Sequence, residues 1–323
     1  VFGDIELGIG AGWFVERAGR TNWRKNFEAP AEIPGAIDGP QRWATINTSL
    51  SILSGGLGVG LAYRPLGLSL GFTPVYHAAS LSTVRARNPN GSERVLDEAG
   101  RLAEGRILFE DGTDQQFSWI VGASWDATES IQLNLTWHGP TDYELSGEGY
   151  ITFGLAPETR ARSAFSLPVP QTVRFEGVFC VGAFKLRPMV GWAQWSVLDV
   201  QQAYNVENGE VLMRLERNFN DIYFARAAVD YQVSEFLGLA ASTTLETGAT
   251  PIETFEPGLA ESDNLEVGLG ARLQLSQRVR LDVSFSWQQF ADVTVTESLQ
   301  DPTVNGDYTD RRQFLSVDLG VDL

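Results

Sequence analysis

The chain has 323 residues, 43% of them hydrophobic and 11% aromatic, with 33 glycines and a formal net charge of −17. That length suits two ordinary domains or one large β-architecture, and abundant Gly, aromatic, Val, Leu, Ser and Thr residues favour strands and turns. The acidity argues against a nucleic-acid partner, because phosphate contacts need concentrated Lys and Arg.

The surplus of carboxylates is read as solvated loops, or as loops bridged by divalent cations at an anionic surface. One cysteine, Cys180, excludes an internal disulfide, offers no metal-ligand spacing and is expected to be a small packing residue. His77 and His138 are the only histidines, so zinc or imidazole chemistry has few seats, and no cofactor or metal site is expected. No run of about 18 apolar residues is present, so there is no transmembrane helix. A membrane β-barrel would escape that criterion, because only every second residue faces lipid.

The first element, LGIGAGWFV at 7–15, poses a choice between a phosphate-binding loop and a strand. A phosphate loop would follow a strand and open a helix. Here Ile5, Leu7, Ile9, Ala11, Trp13 and Val15 form one apolar face, and Glu6, Gly8, Gly10, Gly12 and Phe14 form the other. The stretch is therefore a strand.

The same period-two pattern predicts strands near 3–15, 43–63, 66–85, 106–125, 130–146, 170–183, 187–201, 217–233, 236–247, 263–274, 278–295 and 312–323. The clearest runs from Val279 through Leu281, Val283 and Phe285 to Trp287, opposed by Arg280, Asp282, Ser284 and Ser286. Tight turns near Pro65, Asp126 to Glu129, Lys185, Ser234 and Ser276 alternate with long polar loops at 16–41, 86–105, 147–168, 202–216, 248–262 and 296–311. Short turns at one end and long loops at the other are the layout of an outer-membrane barrel. A soluble sandwich also alternates. Its strands are shorter, however, and Tyr63, Trp125 and Trp137 fall near strand ends, where a membrane barrel carries its aromatic girdle. The expected fold is an all-β transmembrane antiparallel up-and-down barrel of about 12 strands, with residues 1–323 forming a single barrel domain.

Six stretches in order resemble the FadL/TodX (OMPP1) family of outer-membrane transporters of long-chain fatty acids and other hydrophobic compounds. They are GVGLAYRPLGLSLGFTPVYHA (58–78), LNLTWHGPTDYELSGEG (133–149), LPVPQTVRFEG (167–177), WAQWSVLDV (192–200), NFNDIYFARAAVDYQVSE (218–235) and DNLEVGLGARLQLSQRVRLDVSFSW (263–287). The family begins with a lumen-plugging hatch bearing an Asn-Pro-Ala-type motif, then two strands. The first strand here resembles the family's third, so twelve of fourteen strands are expected, with the hatch absent.

The resemblance implies passive uptake of hydrophobic molecules such as fatty acids, in contact with outer-membrane lipid and lipopolysaccharide, with release sideways through the wall. Gly8, Gly10, Gly12 and Phe14 are the candidates for that lateral opening; the glycines could equally make room for a plug or for neighbouring side chains. Arg85, Arg87, Arg214 and Arg217 are candidates for a carboxylate head group, against the alternative of solvated loop arginines. On lumen parity, Arg174, Glu176, Arg226, Asp230, Glu266, Arg272, Arg280 and Asp282 are expected to pair into a polar network, since lone charges in a confined space are costly. Two other readings remain open. One is a non-transporting barrel subunit of an envelope complex with protein partners. The other is a lipid hydrolase using His77 or His138, which lacks a nucleophile motif and, for His77, a nearby carboxylate in sequence.

Overall fold

A computed structural model describes residues 3–28, 36–88, 94, 96–154, 156–258, 261–300 and 303–321. Four long strands come first: β1 (Ile5–Asn22), β2 (Asn47–Tyr63), β3 (Leu68–Arg87) and β4 (Gly105–Thr128). Then follow β5 (Ile131–His138), β6 (Thr141–Phe153), β7 (Thr159–Val169), β8 (Thr172–Val181), β9 (Phe184–Ala193), β10 (Val200–Asn205), β11 (Val211–Glu216) and β12 (Ile222–Gln232). The chain finishes with β13 (Leu237–Glu246), β14 (Asn264–Gln274), β15 (Val279–Phe290), a small hairpin of β16 (Val293–Val295) and β17 (Gly306–Tyr308), and β18 (Arg311–Val321).

The pairings are antiparallel and meander in chain order. β5 and β6 form one stave along β4, broken at Gly139 and Pro140, where Pro cannot donate to the ladder. In the same way β7 with β8, β9 with β10, and β11 with β12 are single staves bent at one level, near Pro170, Gln194–Asp199 and Arg217–Asp221. Counted as staves, the described residues form a twelve-stave β-barrel, one for each strand read from the sequence.

The corrections concern length. Residues 147–168 and 202–216 are largely strand, as β6–β7 and β10–β11, and β1 runs on to Asn22 past a bulge between Val15 and Arg17. Residues 322 and 323, the end of the last expected strand, lie outside the described residues. Cys180 is exposed beside the turn at Gly182, not a packing residue.

Every stave shows lipid an apolar stripe: Leu7, Ile9 and Trp13 on β1, Leu57, Val59 and Leu61 on β2, Leu265, Val267 and Leu269 on β14, and Leu315, Val317 and Leu319 on β18 are all exposed. At the short-turn end Tyr63 and Trp125 face outward, and Phe184 stacks on Tyr231 at 4.6 Å. This outward band, bordered by aromatics, is what a bilayer requires of a barrel wall.

Past the bends, the upper halves of the four bent staves lean over the lumen face of β2–β4. Tyr143 and Leu145 of β6, Phe165 of β7 and Met213 and Leu215 of β11 pack with Ile52, Ala79, Leu81 and Phe109 into the main core. Asp221 pins one bend, accepting from the Trp192 indole at 2.9 Å and the Ser196 amide at 3.0 Å. Partial burial pushes its carboxyl upward, but those hydrogen bonds outweigh it and hold the group below the usual carboxylate range. A second tie joins the β1–β2 loop to β4. There Glu104 accepts from Arg42 and Arg106, and Arg106 also pairs with Asp38 at 3.0 Å.

Candidate functional site

Three zones follow one another through the lumen. At the long-loop end, the leaning sheet and the wall enclose a cavity of about 520 Å³, within the range of small-molecule sites. Leu50, Leu81, Ile107, Phe109, Phe165, Leu167, Met213 and Leu215 make it apolar, because β2–β4 on one side and β7, β10 and β11 on the other turn their alternate residues toward one another. Three arginines line it, Arg17 from β1, Arg85 from β3 and Arg217 at the bend before β12.

Arg217 is buried and held: Nη1 donates to Glu256 Oε1 at 2.6 Å, while Nε and Nη2 donate to Gln201 Oε1 at 3.1 and 2.9 Å. Arg85 is also buried, with Nη1 3.9 Å from Met213 Sδ. The other two candidates lie elsewhere. Arg214 is exposed and paired with Glu216 at 2.8 Å, and Arg87 ends β3 opposite Gly105. Of the four head-group candidates, the structure brings Arg85 and Arg217 to one cavity.

Toward the short-turn end, one wall is nearly bare. Gly8, Gly10 and Gly12 pair with Gly60, Gly58 and Gly56, and Gly60 in turn faces Gly71, which faces Gly122. The six of these glycines that belong to β1 and β2, with Phe14 and Thr73, border a space of about 510 Å³. A Cβ added at Gly10 or Gly12 would meet nothing within 4 Å, and neither backbone is left-handed. Neither packing nor conformation asks for glycine at these two positions; what their lack of side chains leaves there is open space.

The opposite wall at this level is charged. Arg226, Glu266, Arg272, Arg280 and Asp282 line a basin of about 600 Å³. Asp282 accepts from both Arg272 and Arg280 at 2.7 Å, and Asp230 pairs with Arg187 at 3.1 Å. Arg174 and Glu176, on β8, lie outside it; Arg174 sits over the Phe224 ring at 5.9 Å.

Between cavity and glycine wall lies a cluster that sequence reasoning missed. His77 Nδ1 is 2.8 Å from Glu16 Oε2 and 2.7 Å from Ser54 Oγ, Ser54 Oγ donates to Glu16 at 3.0 Å, and His77 Nε2 is 2.6 Å from Ser118 Oγ. The carboxylate absent from the neighbourhood of His77 in sequence arrives from the β1 bulge. His138 ends β5 beside the Gly139 bend, opposite Ile120 and Thr172.

A twelve-stave wall with an outward apolar band and an apolar chamber at its long-loop end defines an outer-membrane channel for hydrophobic compounds. The comparisons give the family. Residues 45–320 match the family described as outer membrane protein transport protein (OMPP1/FadL/TodX), and the chain belongs to it. A Pseudomonas aeruginosa FadL homologue shares its fold with a TM-score of 0.77 at 15% identity, over 97% of this chain and 73% of that one. The Ralstonia pickettii toluene transporter TbuX superposes with a TM-score of 0.69 at 12% identity, covering 98% and 78%. The Pseudomonas putida toluene transporter TodX gives 0.68 at 13% identity, covering 99% and 79%. No curated protein matches the sequence.

Proposed function

We propose that the chain carries long-chain fatty acids from the cell surface into the membrane, through the upper cavity and out sideways past Gly8, Gly10, Gly12 and Phe14. The observation that supports this reading is the polarity of the lumen. An acyl chain gains about 0.8 kcal/mol per buried CH₂ in an apolar cavity. Directly below, the basin around Asp282 offers charge instead. The glycine wall at that level leads to lipid, where the chain remains in apolar surroundings.

A carboxylate would remain near the cavity's cations. Those cations are Arg17, Arg85 and Arg217, and the head-group role is proposed for Arg85, which lines the cavity from β3. The test is uptake of labelled fatty acid by cells whose own uptake channel has been deleted. Gly10→Leu with Gly12→Leu should abolish uptake yet leave fatty-acid binding to purified protein intact, since both side chains enter open space. Arg85→Gln should weaken fatty-acid binding about tenfold and leave an uncharged aromatic hydrocarbon unaffected. Undiminished uptake through the double leucine variant would refute the lateral route.

A further inference from the structure

The His77 cluster lies on the boundary between two of these zones. On β1, Glu16 lines the cavity and Phe14 the glycine space; on β2, Leu50 lines the cavity and Gly56 the glycine space; on β3, Leu81 and Thr73 do the same. Ser54 on β2 and His77 on β3 stand midway between these levels, and on β1 Glu16 is the cavity-lining residue next above Phe14. Ser118 adds a fourth, since it lies opposite Val75 on β4. Tyr143 approaches the imidazole edge-on at 6.4 Å from the leaning sheet and is fully buried.

We propose that Glu16, Ser54, His77 and Ser118 form an internal gate that closes the floor of the cavity and sets how fast a substrate passes from it to the glycine wall. The inference rests on the reading of those two zones as ends of one path. Both ring nitrogens of His77 are engaged and the carboxylate of Glu16 accepts two bonds, so the closed arrangement leaves the cluster satisfied. An apolar chain moving down must part β1 from the imidazole, and it supplies no hydrogen bonds in exchange. The bulge gives β1 the slack to move, because Glu16 has no partner of its own across the ladder to β2. His77 is thus a positioning residue for passage.

The carboxylate–imidazole–hydroxyl order also resembles a hydrolase relay. His77 and Ser118 are only 3% and 8% exposed, however, and Ser118 borders neither the cavity nor the glycine space. An ester carbonyl has no approach to the hydroxyl, and a mechanical role fits the burial.

The test uses the whole protein in detergent and in planar bilayers, with correct folding checked by heat-modifiable gel mobility. His77→Ala should raise ionic conductance several-fold and speed amide exchange around residues 12–18 roughly tenfold, as loss of a charge-assisted bond would. Binding of a fluorescent fatty acid to the cavity should stay unchanged. His77→Asn keeps an N–H directed at Glu16 and should restore most of the closed behaviour. If His77→Ala does not fold, Ser118→Ala removes one bond only and should show the same changes in smaller measure. Wild-type conductance and exchange in the folded variants would overturn the gate, as would ester cleavage by the wild type that His77→Ala abolishes. Absence of fatty-acid binding in the wild type would instead refute the substrate, leaving the conductance and exchange readings of the gate intact.

Discussion

At the scale of residues, the cavity is built around a buried ion pair that the sequence does not announce. Arg217 and Glu256 are 39 positions apart, with side chains 4% and 5% exposed. Removing one partner strands the other charge, so Arg217→Ala should cost about 3–5 kcal/mol in urea unfolding, and Arg217→Met with Glu256→Leu should recover most of it. A double change as costly as the single one would show that the pair is not the source. Parity put Arg272, Arg280, Asp282, Arg226 and Glu266 on the lumen face because each sits in an alternating strand, and the order of the strands gathers them on one wall. It could not link His77 to Glu16, since that contact depends on the fold bringing β1 and β3 to opposite sides of β2. A carboxylate just after an uninterrupted apolar face, at the first break in alternation, was the signal available.

At the scale of elements, all twelve staves were legible as alternation, but only along the part that lies in the membrane. There lipid outside and lumen inside impose a two-state code on successive residues. Above it, β6, β7, β10 and β11 have protein on one face and water on the other. β6 accordingly carries Gly147, Glu148 and Gly149, which read as a loop, and the true turn at Glu207, Asn208 and Gly209 draws the short strands β10 and β11 on either side of it into the same reading. The bend between β5 and β6 depends on a small residue. A Cβ on Gly139 would come within 2.7 Å of the Trp119 indole, which itself packs edge-on to Trp137 at 5.7 Å. Gly139→Val should therefore destabilise the barrel by about 1–3 kcal/mol through overpacking, seen as a lower urea midpoint and altered tryptophan fluorescence. An unchanged midpoint would mean that the indole moves aside freely.

At the scale of the whole molecule, the wall separates three surroundings: lipid outside, an apolar chamber at the top and a charged basin below. Leu269 lies in the outward band of β14, so Leu269→Arg should cost about 2–4 kcal/mol when unfolding is measured in bilayers. The same substitution in a soluble sandwich would cost far less, which makes it a direct probe of membrane insertion. The bulge at Glu16 has a consequence on this scale. Below it, odd-numbered residues such as Ile9 and Trp13 face lipid; above it, Arg17, Gly19 and Thr21 face the cavity. One inserted residue has reversed the phase of the stave. Pairing β1 to β2 without the bulge would set Glu16 opposite Ile52 and turn Arg17 toward hydrocarbon, so the irregularity is what allows one continuous strand to pass from a lipid-facing code to a chamber-facing one.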